Sequence, residues 1–449
     1  MGRLFGTDGA RGVANSELSC ELAMKIGRAA AMVLTESCSH KPKVLIGMDT
    51  RASSHMLASA IGAGLCSVGA DVLILDVVPT PAVAFLVKEY EYDAGVMISA
   101  SHNPCEYNGI KIFQYNGYKL PDELENEIED IILDETKLPP VVLGGDVGRI
   151  YFSETAVDDY VFHLAMTSDG DFKGMKIALD CANGSASVSA KALFTRLGAE
   201  CVIINAEPNG TNINENCGST HLEQLQKCVV DNKCDLGFAF DGDADRMLLV
   251  DENGNIVDGD KIIAICAKYL KKNGKLNNNT AVVTVMSNMG FFEFCDNNGI
   301  NCVKTKVGDR YVLEEMVKND YSIGGEQSGH IIFLDHATTG DGQMSAIQVL
   351  NVLKRTGKKI SELASEMNVF PQVLINVRVS NFGKTRLDKD EEVQLAIREA
   401  SEELGNDGRV LVRVSGTEPL VRVMLEGKDY DKIKYLAECI ARVIEERLV

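Results

Sequence analysis

Between residues 237 and 251 the chain reads GFAFDGDADRMLLVD, with Asp241, Asp243 and Asp245 alternating directly after an apolar run. At strand or turn spacing, three such carboxylates can converge on one hard cation, which also relieves their mutual repulsion. A solvated acidic turn has the same composition, so the string gains meaning only from its surroundings. An EF-hand would use Asp241, Asp243, Asp245 and Glu252 at its first, third, fifth and twelfth loop positions. That reading fails because Arg246 stands where the loop needs glycine, and because LGFAF and MLLVD read as strands rather than helices. Three oxygen ligands with open positions suit Mg2+ working on a phosphate better than a closed calcium cage.

In ISASHNPCEYNGIKIF (98–113), an apolar run that reads as a buried strand stops at Ser99-Ala100-Ser101-His102-Asn103-Pro104 and resumes at Ile110. A serine, a histidine and an asparagine therefore stand at a strand tip. In RVSGTEPLVRVMLEG (413–427), Arg413, Ser415, Thr417 and Arg422 surround Gly416, whose backbone N–H can approach an anion while the hydroxyls and a two-pronged guanidinium add donors. In GGEQSGHIIF (324–333), Glu326, Ser328 and His330 lie between glycines, a set that suits sugar hydroxyls or an amino group. Either of these two strings alone also fits an ordinary turn. RLFGTDGARG, ahead of the first helix, carries three glycines and two arginines and shows little by itself. Neither a P-loop nor a strand-linked GxGxxG occurs, which removes those nucleotide-binding readings.

The elements that must hold these loops are legible as repeats. KPKVLIGMDTR (41–51), GMKIALDCANGSA (174–186) and NTAVVTVMSNMG (279–290) each present a short apolar strand, a small polar turn and a helix-compatible stretch. Strands alternating with helices predict parallel sheets wound on both faces. Leu18, Leu22, Ile26, Ala30 and Val33 share one helical face behind an expected Asn15 or Ser16 cap, and Pro81 is expected at the first position of a helix behind Thr80. AECVIIN and CDLGFAF continue the second repeat. After about Phe370 the pattern becomes QVLINVRV, a charged helix near 389–404, RVLVRVS, LVRVMLEG and a final amphipathic helix from about Tyr430, which is a small α+β domain. The expected divisions are 1–155, 156–256 and 257–368 for three doubly wound α/β domains and 369–449 for the tail.

A formal charge of −20 excludes a general nucleic-acid binder, which needs a basic face, while leaving room for arginines that hold a small anion. Thirteen cysteines spread singly, with no C-x-x-C pair, argue against a disulfide framework or a zinc ribbon. With no apolar leader at the N-terminus and no run near the roughly 20 residues of a membrane span, a cytoplasmic protein without membrane partners is expected.

Taken together and in order, FGTDGARG, SASHNP, DGDADR, GEQSGH and RVSGTEPLVRVMLEG resemble the α-D-phosphohexomutase superfamily over nearly the whole chain. Together they resemble its bacterial glucosamine-phosphate branch more closely than its glucose- or mannose-phosphate branches, and TKVGDRYV (305–312) and DCANGSA (180–186) also read like that branch. The resemblance implies a heart-shaped enzyme of four domains, each lending one loop to a central cleft. It implies that Ser101 carries a phosphoryl group on an exposed loop, and that Ser101, Asp241, Asp243 and Asp245 hold one Mg2+. His102, Lys111 and Arg11 match positions near the transferring phosphoryl group; Glu326 and Ser328 would face the sugar, and Arg413, Ser415, Gly416 and Thr417 would grip the other phosphate. Ala244, Met48 and Val414 depart from the family's usual glycine, arginine and lysine without removing a ligand. Ala244 tests the turn between the aspartates, since alanine tolerates fewer backbone conformations than glycine.

The reaction so implied interconverts glucosamine 6-phosphate and glucosamine 1-phosphate through a glucosamine 1,6-bisphosphate that turns around in the cleft, serving amino-sugar nucleotide and cell-wall precursor synthesis. Lys111, or Arg11 with His102 nearby, are the candidates for taking the hydroxyl proton. A phosphoryl donor must first charge Ser101, and a homodimer is an open expectation. The alternatives are a phosphohexomutase for glucose or mannose phosphates and a non-catalytic sugar-phosphate or calcium-binding module.

Overall fold

A computed structural model of the chain describes residues 3–6, 8–36, 38–415 and 419–449. Its strands form four sheets. The first, in spatial order, contains β1 (Ala10–Val13), β5 (Tyr107–Gln114), β4 (Ala94–Ile98), β2 (Lys43–Met48), β3 (Asp71–Val77) and β6 (Ile150–Phe152). The second contains β11 (Ile256–Val257), β10 (Met247–Asp251), β9 (Leu236–Phe240), β7 (Lys176–Asp180) and β8 (Glu200–Ile204). The third contains β13 (Asn301–Thr305), β12 (Thr280–Thr284), β14 (Ile323–Gly325) and β15 (Ile331–Phe333), and the fourth β16 (Gln372–Arg378), β18 (Leu420–Gly427) and β17 (Gly408–Val414).

The central strands are runs of β-branched and other apolar residues buried on both faces, as parallel strands covered by helices must be. Ile46, Val72 and Val96 of the first sheet share a core with Leu57 and Ile61 of the helix Ala52–Ser67. That helix packs so closely on Cys20–Leu34 that a Cβ on Gly64 would sit 2.3 Å from the Met24 carbonyl oxygen. Ala178, Ala239 and Val250 meet Leu225 and Val229 in the second sheet, and Val282 meets Val312 and Met316 in the third.

The expectation of parallel sheets is corrected in one respect. Each of the first three sheets has a parallel centre but adds antiparallel strands: β5 and β1, β10 and β11, and β15. The connections that lead into β5, β10, β11 and β15 are too short for a crossover helix, so there the chain can only return antiparallel, and β1 pairs antiparallel with the far-off β5. Two helix starts also differ. Ser19, not Asn15 or Ser16, caps the first helix by accepting the Leu22 N–H at 3.3 Å, and the helix with Pro81 in its first turn begins at Thr80 behind a Pro79 cap.

The chain divides into two compact units, Met1–Met286 with Asn298–Glu366 and Ser287–Asn297 with Met367–Val449. The second holds the fourth, wholly antiparallel sheet, whose Val421, Val423 and Leu425 pack on Ile433, Ile440 and Ile444 of the terminal helix. All thirteen cysteines are free, just over half of them buried. Among the described residues no helix is long and apolar enough to cross a membrane.

Candidate active site

Three of the singled-out loops occupy the same place in three different sheets. Residues 99–106 join β4 to β5, 241–246 join β9 to β10, and 326–330 join β14 to β15. In each case the last parallel strand of the sheet ends at its carboxyl end and turns into an antiparallel neighbour. The carboxyl ends of parallel strands are where open α/β sheets bind ligands.

Ser101 sits in the left-handed region at φ +54°, a conformation that costs a non-glycine residue about 1–3 kcal/mol and that only surrounding contacts sustain. Those contacts come from distant parts of the chain. Its N–H donates to Ser99 Oγ at 2.9 Å, and its carbonyl accepts from Arg51 Nη2 at 3.2 Å and from Asn214 Nδ2 at 2.9 Å. Both donors also hold the Asn103 carbonyl, at 2.6 and 3.1 Å. A Cβ on Gly242 would lie 2.5 Å from the Ser101 carbonyl oxygen, so the serine and aspartate loops meet backbone to backbone. The loop is exposed at its tip, at Pro104 and Glu106, but Ser101 itself is fully buried, because the aspartate loop, Arg51 and Asn214 close over it.

The Ser101 hydroxyl donates to Asp241 Oδ2 at 2.5 Å, joining the two motifs across 140 residues. Asp241, Asp243 and Asp245 are buried and offer carboxylate oxygens within 4.8 Å of one another. Asp243 Oδ2 accepts Thr80 Oγ1 at 2.5 Å and Lys111 Nζ at 2.8 Å, and Asp245 Oδ2 accepts Lys111 Nζ at 3.1 Å. Asp243 Oδ1 and Asp245 Oδ1 are buried with no hydrogen-bond partner among the described residues. Burial, and then repulsion from Asp245 and Asp243, push the Asp241 carboxyl well above its ordinary pKa. Two orphaned carboxylate oxygens beside a third crowded carboxylate and a hydroxyl are a donor set that a hard divalent cation fits. Ala244 adopts φ +56°, so the turn takes the left-handed form that glycine favours despite the alanine.

Lys111 points from β5 into this cluster. Burial works against its charge, yet Asp243, Asp245 and Asp8 hold its pKa well above that of ordinary lysine. His102 Nδ1 lies 3.5 Å from Ser101 Oγ and 3.4 Å from Arg246 Nη1, and burial, then Arg246 and Arg11, push its pKa down to about 4. Arg11 pairs with Asp8.

The third loop adjoins the second through backbone hydrogen bonds. The Met247 N–H donates to the Gly329 carbonyl at 3.1 Å, and the Gly259 N–H to that of Gln327 at 3.0 Å. Glu326 is half-buried and accepts the Gly308 N–H at 3.1 Å, Ser328 is exposed, and His330 is buried. In the second compact unit, Arg413 lies directly across the ladder from Arg422, and the buried Ser415 donates its N–H to the Leu420 carbonyl at 2.8 Å. Gly416 and Thr417 lie outside the described residues.

Thr80, Arg51, Asn214, Arg246 and Asp8 all touch the cluster or the serine loop, and sequence reasoning assigned none of them a role. Arg51 in the MDTR turn and Thr80 between two prolines stood at strand ends, a positional signal that could have marked them.

Comparison with known proteins defines the class. The sequence matches all four domains described for phosphoglucomutase/phosphomannomutase: alpha/beta/alpha domain I over residues 2–139, domain II over 158–254, domain III over 258–370, and the C-terminal domain over 374–443. The chain belongs to the phosphoglucomutase/phosphomannomutase family. Within it, the chain is 58% identical over 448 residues to the phosphoglucosamine mutase of Acetivibrio thermocellus, covering 100% of both, and 57% identical to that of Clostridium novyi, covering 100% of this chain and 99% of the relative. Solved structures share the fold. A phosphoglucomutase/phosphomannomutase family protein from Burkholderia thailandensis superposes with a TM-score of 0.82 at 22% identity, covering 100% of this chain and 98% of that one. Aspergillus fumigatus N-acetylphosphoglucosamine mutase, solved in complex with GlcNAc-6P and magnesium, gives 0.70 at 18%, covering 100% and 96%.

Proposed function

We propose that this chain is an enzyme that interconverts glucosamine 6-phosphate and glucosamine 1-phosphate, the phosphoglucosamine mutase reaction. The observation that carries the reading is the Ser101 hydroxyl 2.5 Å from Asp241 in a cluster with two orphaned carboxylate oxygens, on a chain aligned end to end with phosphoglucosamine mutases.

Ser101, once charged by an activating phosphoryl donor, hands its phosphoryl group to the free sugar hydroxyl. The P–O bond to serine breaks as the P–O bond to the sugar forms, and the hydroxyl proton leaves to a nearby side chain. The resulting 1,6-bisphosphate turns around and returns the other phosphoryl group to Ser101. Asp241, Asp243, Asp245 and Ser101 would hold one Mg2+, which when bound supplies charge neutralisation at the phosphoryl oxygens. Lys111, held cationic, steadies the phosphoryl charge, while His102, Arg11 and Lys111 surround the proton's path. Glu326 and Ser328 orient the sugar; Arg413, Ser415, Gly416 and Thr417 grip the phosphate at rest. We divide the chain at 1–155, 156–256, 257–368 and 369–449. Assembly as a homodimer has support in the edge strand β6, whose Ile150, Tyr151 and Phe152 are all exposed.

The test is a panel of hexose 6-phosphates with catalytic 1,6-bisphosphate and Mg2+, read beside the intact mass of the protein. Glucosamine 6-phosphate is expected to turn over fastest, a phosphoserine to add about 80 Da, and Ser101→Ala to lose both turnover and added mass. Preference for glucose or mannose phosphate would reassign the substrate. An active Ser101→Ala enzyme would remove the phosphoserine.

A further inference from the structure

We propose that Lys119 is a positioning residue for phosphoryl transfer: as the shared cation of Asp8 and Asp309, it keeps Lys111 on the carboxylate cluster. The proposal rests on the mutase reading above and adds three residues to it.

Lys119 follows β5 and bridges back to Phe113, Asp8 lies in a turn just ahead of β1, and Asp309 opens the helix Asp309–Asn319. Lys119 Nζ donates to Asp8 Oδ1 at 2.8 Å and to Asp309 Oδ2 at 2.5 Å. Asp8 in turn pairs with Arg11 through Oδ2, and its Oδ1 lies 3.6 Å from Lys111 Nζ. Lys111 is the lysine that donates to Asp243 and Asp245, and Asp309 Oδ2 lies 3.5 Å from His330 Nε2. Alternating charges thus run from the aspartate loop through Lys111, Asp8 and Lys119 to Asp309, which lies beside the histidine that ends the third loop. The Lys119 side chain is only 9% exposed, so solvent screens these pairs weakly. Burial opposes its charge, but Asp309 and Asp8 outweigh that and raise its pKa above that of ordinary lysine.

The arrangement makes Asp8 a competitor for Lys111. Lys119 neutralises the Asp8 oxygen that faces Lys111, and Lys111 stays with Asp243 and Asp245. Without the Lys119 ammonium, Asp8 and Asp309 lose their common cation, and Asp8 gains a reason to draw Lys111 over the 3.6 Å that separates them. Lys111 then moves off the cluster where the phosphoryl group is transferred. The cost falls on the chemical step rather than on sugar binding, and a displacement of about 1 Å at a reacting centre can cost about a hundredfold in rate.

The experiment compares Lys119→Met, Lys119→Arg, Asp8→Asn and the Lys119→Met/Asp8→Asn double variant, with kcat, KM and melting temperature measured for each. The assay uses whichever hexose 6-phosphate the wild-type enzyme turns over fastest. Failure of the glucosamine assignment then appears in the wild type, and failure of the Lys119 proposal only in the variants. Lys119→Met is expected to lose about 30- to 100-fold in kcat with KM within about threefold. Lys119→Arg should keep at least about a third of kcat, since the charge can still bridge both carboxylates. The double variant should recover several-fold over Lys119→Met, because the stranded Asp8 charge that would draw Lys111 is gone. If Lys119→Met does not fold, Lys119→Gln is read by the same criteria. A lysine variant that melts lower yet keeps its kcat would make the residue a structural staple and overturn the proposal; so would a double variant no better than the single one.

Discussion

Arg51→Met removes the cation at the centre of the serine loop's support. Arg51 and Asp49 are both fully buried and paired, and the same guanidinium donates to the Ser101 and Asn103 carbonyls. Asp49 would keep two donors, the residue-51 N–H at 3.0 Å and Ser54 Oγ at 2.9 Å, but would remain a buried carboxylate without a countercharge. Removing one partner of such a pair costs about 3–5 kcal/mol. The two carbonyls add little to that, because Asn214 still donates to both. Asp49→Asn should rescue part of the loss by removing the stranded charge, so that Arg51→Met/Asp49→Asn is more stable than the sum of the single variants by at least about 2 kcal/mol. Function should respond as well, since the carbonyl of Ser101, whose backbone is left-handed, keeps one donor of its two. The assay is urea denaturation of the four proteins followed by far-UV circular dichroism, beside the rate at which a hexose 1,6-bisphosphate adds phosphoryl mass to each. An Arg51→Met enzyme within about 1 kcal/mol of wild type, or a double variant with no coupling, would refute the reasoning.

Other sites give independent tests. Thr80→Val deletes the 2.5 Å hydrogen bond to Asp243, worth about 1.5 kcal/mol to a charged acceptor, and should raise the Mg2+ concentration for half-maximal activity about tenfold; an unchanged requirement would take Thr80 out of the site. Gly242→Ala places a Cβ 2.5 Å from the Ser101 carbonyl and 2.9 Å from Asn214 Nδ2, so the two loops must part, and kcat should fall about a hundredfold or more; retained activity would mean that the loops separate without cost. Asp341 accepts the Tyr160 hydroxyl at 2.8 Å, and burial raises its carboxyl from 3.8 to about 6. The folded state then keeps a proton that the unfolded chain has released, so stability falls as Asp341 ionises between about pH 4 and 6. Asp341→Asn cannot ionise and still offers an oxygen to the Met344 N–H. Its stability relative to wild type should therefore grow across that range by up to about 3 kcal/mol in pH-dependent thermal unfolding, and a flat difference would contradict the shift.

Much of the site is legible in the sequence because its signals are local. VLIGM, IALD and AVVT announce buried strands by composition, and their repetition with helices between them announces three α/β units. Asp241, Asp243 and Asp245 stand close enough in sequence that a turn alone can gather them, and Ser101 is conspicuous as polarity at the end of an apolar run. The antiparallel return strands are less legible. The strand Tyr107–Gln114 carries apolar residues much as a parallel strand does, and its direction follows from a loop too short for a crossover helix. The first helix cap is ambiguous for a related reason, since Asn15, Ser16 and Ser19 all have capping side chains and the helix start depends on which fits the packed helix.

Sequence by itself determined which residues could do chemistry and which strands would carry them, because composition and spacing act over a few residues. Tertiary structure alone decided that Ser101 meets Asp241 across 140 residues, that Thr80 reaches Asp243 across 163, and that Lys119 joins Asp309 across 190. No local pattern encodes such a partner. Each group has many chemically equivalent candidates along the chain, and only the burial of the sheets, which leaves a charged or polar atom unsatisfied unless one of them arrives, selects which it will be.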